Sequence, residues 1–95
     1  MDRKTRREVV GRITEAERDE IKALFERKNG LAELFRGLPE AAPLYDRIVQ
    51  DMGATATKFQ QWWDEKSRQY KWKGTAGHHW EVDFDACEIL LKKDR

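Results

Sequence analysis

His78, His79 and Cys87 are the residues whose types suggest chemistry first, because imidazole, thiolate and the carboxylates between them are all ligands for zinc or iron. Their spacing argues against a metal. Adjacent histidines on an extended backbone point to opposite sides, and no second spaced ligand pair follows. Cys87 as a nucleophile with His78 or His79 as base has no accompanying oxyanion or thiol-activating signature, and an alternating strand position suits a small buried hydrophobe. Asp64-Glu65 and Asp83/Asp85 are paired carboxylates of the kind used in acid–base catalysis. In a chain with 39% charged residues, such pairs are mostly solvated surface. The Glu-x-x-His signature of di-iron helical bundles is absent. We expect no enzyme, no catalytic residue, no metal and no cofactor.

All four tryptophans fall between Phe59 and Trp80 of an otherwise very polar chain. Aromatics this dense either build the core of a small domain or form the apolar centre of a binding surface. On a helical wheel Trp62 and Tyr70 fall on the core face, which leaves Trp63 and Trp72 as exposed rings. The expected binding residues are Trp63, Trp72 and Trp80 as aromatic anchors, with Val82 and Phe84 on the adjoining strand. Tyr70, Trp72 and Trp80 stand among Lys66, Arg68, Lys71 and Lys73, a pattern used to stack single-stranded nucleic acid. A small nucleic-acid-binding regulator using these residues and the basic N-terminal arm is therefore the alternative reading.

Composition weighs against that alternative. The net charge is +1 over 95 residues, well short of the basic footprint expected of a nucleic-acid binder. Charge is nonetheless segregated: residues 1–12 carry Arg3, Lys4, Arg6, Arg7 and Arg12 against Asp2 and Glu8, whereas residues 80–88 carry Glu81, Asp83, Asp85 and Glu88 and no base. A single cysteine excludes an internal disulfide and fits a reducing cytoplasm. No apolar run approaches the ~20 residues needed to cross a bilayer, and no secretion signal is evident. The expectation is one cytoplasmic domain over 1–95, free of the membrane.

The elements that position these residues follow from periodicity. Residues 1–8 read as a flexible basic arm, and Val9 to Ile13 as a short strand or extended arm. Thr14 and Glu17 form a capping box that opens helix 1 over 14–37, whose seam runs through Ile21, Leu24, Leu31 and Phe35 with Lys28 interrupting it. Asn29-Gly30 marks a kink or a close helix contact, with a helix break as the competing reading. Gly37-Leu38-Pro39 ends this helix. Pro39 or Pro43 then suits the first turn of helix 2 over 40–70, packed antiparallel on the first. A loop over Lys73 to Gly77 precedes a strand element over 80–91, in which Trp80, Val82 and Phe84 alternate with acids. The phase slips at Asp85-Ala86, at a bulge or a tight turn. The fold class is α+β, mainly α: an antiparallel long-helix hairpin with a short C-terminal β element that either lies across the helical pair or pairs with the N-terminal strand.

Residues 11–21 (GRITEAERDEI), 24–31 (LFERKNGL), 59–64 (FQQWWD) and 80–84 (WEVDF) together resemble the small CXXX repeat peptide modification system proteins. Those are accessory components found beside radical SAM enzymes and a cysteine-repeat precursor peptide. The resemblance spans about residues 9 to 91 and rests on structural motifs, with no catalytic residue to carry over. It implies an accessory protein that binds a precursor peptide or its modifying enzyme in ribosomal peptide maturation. The residues agree in kind, since an edge strand over Trp80 to Leu91 can accept an extended peptide by strand addition. A protein or peptide partner is expected, and so is a homodimer, because Lys28 on an apolar seam is easiest to place at an interface edge where its ammonium reaches water.

Overall fold

The computed structural model describes residues 8–94; the basic arm of the sequence reading lies, except for Glu8, outside them. The element order is β1 (Glu8–Arg12), α1 (Glu15–Arg36), α2 (Tyr45–Tyr70), β2 (His78–Asp83) and β3 (Glu88–Lys93). The class is α+β and mainly helical, with a helical hairpin and a three-stranded antiparallel sheet. Among the described residues, no helix is long and apolar enough to cross a membrane. The described residues divide into two compact units, residues 20–65 and residues 8–19 with 66–94.

The helical unit contains most of α1 and α2. The capping box holds as read: the Thr14 amide donates to Glu17 Oε1 at 2.9 Å, and the Glu17 amide donates to Thr14 Oγ1 at 3.1 Å. α1 then runs unbroken through Asn29-Gly30. A Cβ at Gly30 would meet nothing within 4 Å, so no close helix contact requires that glycine. Helix 2 begins at Tyr45, later than the expected 40. The segment from Pro39 is spent on turns instead, with Ala42 N–H bonded to the Pro39 carbonyl and Tyr45 N–H to the Ala42 carbonyl. Pro43 explains the delay: it lacks a donor and disfavours helical geometry at Ala42. Antiparallel packing is fixed by Arg27 Nε donating to buried Thr55 Oγ1 at 3.2 Å and by the Phe35 and Tyr45 rings at 5.3 Å. Ile21, Leu31 and Trp62 are its buried apolar side chains.

The other unit holds the sheet, in the order β1-β3-β2. β3 is central and carries Ile89, Leu90 and Leu91, all buried. Burying a side chain such as Ile89 completely contributes about 1.5 to 3 kcal/mol. The expected single strand element over 80–91 is two strands. Asp83 Oδ1 accepts the amides of Asp85 and Ala86, both at 3.1 Å, which folds residues 84–87 into a turn that Cys87 closes with φ 54°. Phe84 therefore belongs to the turn and ends the expected alternation. β1 pairs with β3, the second of the two placements the sequence left open, with a register shift between Val9 and Gly11.

Candidate functional site

β2 is an edge strand, and its register determines what that edge presents. Trp80 lies opposite Leu91 and Val82 opposite Ile89, so both half-buried side chains share the apolar face of the central strand. The Asp94 amide donates to the Gly77 carbonyl at 2.8 Å. That bond sets the antiparallel alternation: residues 79, 81 and 83 turn their main-chain groups toward β3, while Trp80 and Val82 turn theirs away. β1 forms the opposite edge and carries the bulge, which disrupts the regular spacing a new strand would need. β2 is the regular edge.

An aromatic row lies against this face. Tyr70 stacks on Trp72 with centroids 5.7 Å apart and planes 7° from parallel, and Trp72 meets Trp80 edge to face at 5.7 Å. Both are favoured quadrupole geometries. Trp80 Nε1 donates to the Lys73 carbonyl at 2.8 Å, which ties the 71–77 loop to the start of β2. Trp72, expected as an exposed ring, is only 8% exposed, whereas Tyr70, expected in the core, is 36% exposed. The helix end explains Trp72. Lys71 adopts φ 55° as its amide bonds to the Ser67 carbonyl, so the chain leaves helical geometry just before Trp72 and turns that ring onto the sheet. Gly11 receives it, since a Cβ there would overlap the Trp72 indole.

Tyr70 instead finds a polar partner, its hydroxyl donating to Glu17 at 2.8 Å; Lys66 Nζ lies 3.6 Å from the same carboxylate. Burial alone would push Glu17 up, but the Thr14 amide, the Tyr70 hydroxyl and the Lys66 charge together hold it below the usual glutamate value. The Thr14–Glu17 box thus also anchors the end of α2, a role the sequence did not signal.

On the opposite face of β2, the His79 ring lies between two carboxylates, with Nε2 2.7 Å from Glu81 and Nδ1 2.6 Å from Asp94. Hydrogen bonds to Glu81 and then Asp94 raise its pKa above the ordinary imidazole value. The carboxylates occupy opposite ring nitrogens and do not converge on a shared centre. His78 Nδ1 sits 3.1 Å from the Ala76 carbonyl. Among the described residues, no three of His, Cys, Asp and Glu form a group that could hold a metal ion.

The sheet unit therefore brings Trp72, Trp80 and Val82 together, and Phe84 joins as a half-buried turn residue whose carbonyl accepts from Arg18 Nη1 at 2.7 Å. Trp63 belongs to the helical unit, where it is half-buried and meets Trp62 edge on at 5.0 Å. Of the carboxylate pairs, Asp64 accepts from Gln60 Nε2 at 3.0 Å and Asp83 is spent on the turn. Comparison of the chain with protein-family models, curated proteins and solved structures finds no match.

Proposed function

We propose that the chain is a non-catalytic interaction module that receives an extended peptide along β2. The observation that carries this reading is the regular outer edge of β2, where Val82 directs its amide and carbonyl away from β3. Strand addition there draws affinity from main-chain bonds and selectivity from alternate side chains over Trp80 and Val82. Following the resemblance to CXXX repeat peptide modification system proteins, the peptide is a cysteine-repeat precursor, and the module is a cytoplasmic accessory of the enzyme that matures it. The Tyr70, Trp72 and Trp80 row stiffens the edge from behind, with Trp80 as the ring nearest the incoming strand. Stacking of nucleic acid loses one of its expected rings, because Trp72 is buried.

Calorimetric titration with a reduced synthetic peptide of Cys-X-X-X repeats tests this, run on the wild-type chain and on Val82→Pro. Proline removes the outward amide while leaving the bonds to β3 in place, and edge strands tolerate it. The expected result is micromolar-range binding that weakens about tenfold or more in the variant, with an unchanged circular dichroism spectrum. Equal affinity in a folded Val82→Pro chain, or no binding by the wild type, would overturn the proposal.

A further inference from the structure

We infer that the strand received by β2 is a short segment with a basic residue at its centre and an apolar residue on either side of it, and that Glu81 selects the basic residue. This rests on the strand-addition reading and deepens it. The usable edge is short. At one end the His78 amide already donates to the Thr75 carbonyl at 3.1 Å, and at the other the Phe84 carbonyl already accepts from Arg18 Nη1 at 2.7 Å. Between them lie residues 79–83, of which Trp80 and Val82 turn their main-chain groups outward. An antiparallel partner filling this window sets its second residue opposite Val82, its fourth opposite Trp80 and its central residue opposite Glu81. Trp80 and Val82 are half-buried on the apolar face, so the second and fourth residues are apolar. The central residue stands on the other face, beside a β2 row of His79, Glu81 and Asp83, two carboxylates and one imidazole. Glu81 and that residue form a non-hydrogen-bonded pair, in which side chains come closest, and a like charge directly opposite is destabilising. Asp83 is spent on the Asp85 and Ala86 amides, whereas the Glu81 side chain is 47% exposed.

Glu81 has two cationic partners within the fold, and they make the selection depend on pH. Its Oε2 lies 2.7 Å from His79 Nε2 and its Oε1 lies 3.7 Å from Lys92 Nζ, while His79 Nδ1 lies 2.6 Å from Asp94 Oδ1. The charged groups facing the ring are thus Glu81 on its own strand, Lys92 opposite it on β3 and Asp94 just beyond β3. A ring with a carboxylate at each nitrogen donates to both only as the imidazolium, since the neutral form has a single donor. In that form His79 competes with an incoming cation for Glu81. As pH rises through the raised His79 value, the competing charge is lost, Lys92 alone remains on Glu81, and a basic residue in the bound strand gains more. With a net charge of only +1, the chain as a whole offers a cation no general attraction near pH 7, so the preference is local to this row.

Amide-shift titration of the full chain with end-blocked, reduced peptides Thr-Cys-Xaa-Val-Thr, in which Xaa is Lys, Gln or Glu, tests this beside the Cys-X-X-X repeat peptide. Circular dichroism is recorded for every variant. At pH 7 the Lys peptide should bind about threefold or more tighter than the Glu peptide, with Gln between them. Glu81→Gln should bring the three together. The Lys-to-Glu affinity ratio should widen from pH 6 to pH 9 in the wild type and stay level in His79→Asn; the peptide thiol is common to all three and cancels in the ratio. Equal binding of the three peptides, or a preference that survives in folded Glu81→Gln, would overturn the selection by Glu81 and leave strand addition standing. A ratio that fails to widen, or widens as much in His79→Asn, would overturn the competition by His79. Repeat peptide that binds where no five-residue peptide does would overturn the short window alone, and binding by none of them would overturn both this inference and the strand-addition reading.

Discussion

Two glycine-to-alanine substitutions should change stability in opposite directions. At Gly11 the added methyl would overlap the five-membered ring of Trp72, which is buried at 8% exposure and held between Tyr70 and Trp80. Gly11 is not among the positive-φ residues, so alanine brings no backbone strain and the effect is steric alone. Overpacking of this kind costs about 1 to 3 kcal/mol. At Gly30, in the interior of α1 with nothing within 4 Å of the new Cβ, alanine should stabilise by about 0.5 to 1 kcal/mol through helix propensity. For a domain of this size each kcal/mol moves Tm by about 4 to 8 °C. Gly11→Ala should therefore melt several degrees to over 20 °C lower, and Gly30→Ala a few degrees higher. Urea titration followed by both tryptophan fluorescence and circular dichroism measures the two together. A double variant, Gly11→Ala with Trp72→Leu, isolates the cause: if the indole is what the methyl strikes, the Gly11→Ala penalty shrinks once the indole is gone. A Gly11→Ala penalty that is absent, or unchanged in the Trp72→Leu background, would refute the packing described for the sheet.

Thr14→Ala removes one half of the capping box and should cost about 1 kcal/mol in urea unfolding. Glu17, held below the usual range, contributes stability that is present above the ordinary carboxylate pKa and lost as pH falls through its lower folded value. Glu17→Gln should flatten that acid limb of the stability profile. His79 has the opposite sign: its raised pKa favours the folded state fully below the ordinary value of 6.5, and this is lost as pH rises through the higher folded value. The urea midpoint difference between wild type and His79→Asn should accordingly narrow from pH 6 to pH 9; a difference that widened would contradict the two-carboxylate clamp.

What could be read from the sequence was what local chemistry determines. Thr14 and Glu17 announce a capping box because both partners lie within one turn. Trp80 and Val82 declare a half-buried strand because the alternation needs no distant knowledge. The errors arise where one residue redirects the chain. Lys71 takes a left-handed conformation that its identity does not favour, so a helical wheel carried past Tyr70 put Trp72 outside. Asp83 reads as one more acid of an alternating strand, yet its carboxylate caps two amides and makes the hairpin. Pro39 and Pro43 read as first-turn residues of helix 2, yet the turns from Pro39 to Tyr45 leave both ahead of it. The pairing of Gly11 with Trp72 and of Glu17 with Tyr70 spans more than fifty residues in each case, a distance at which no periodicity carries information.

Residue-resolved amide exchange on the labelled chain, with and without the Cys-X-X-X repeat peptide, tests the strand-addition account most directly. The account predicts slowed exchange at the Val82 amide on adding peptide, with the amides of residues 79 and 81, already turned toward β3, little changed. Peptide that binds while leaving Val82 exchange unaltered, with protection appearing only along α1 or α2, would contradict it.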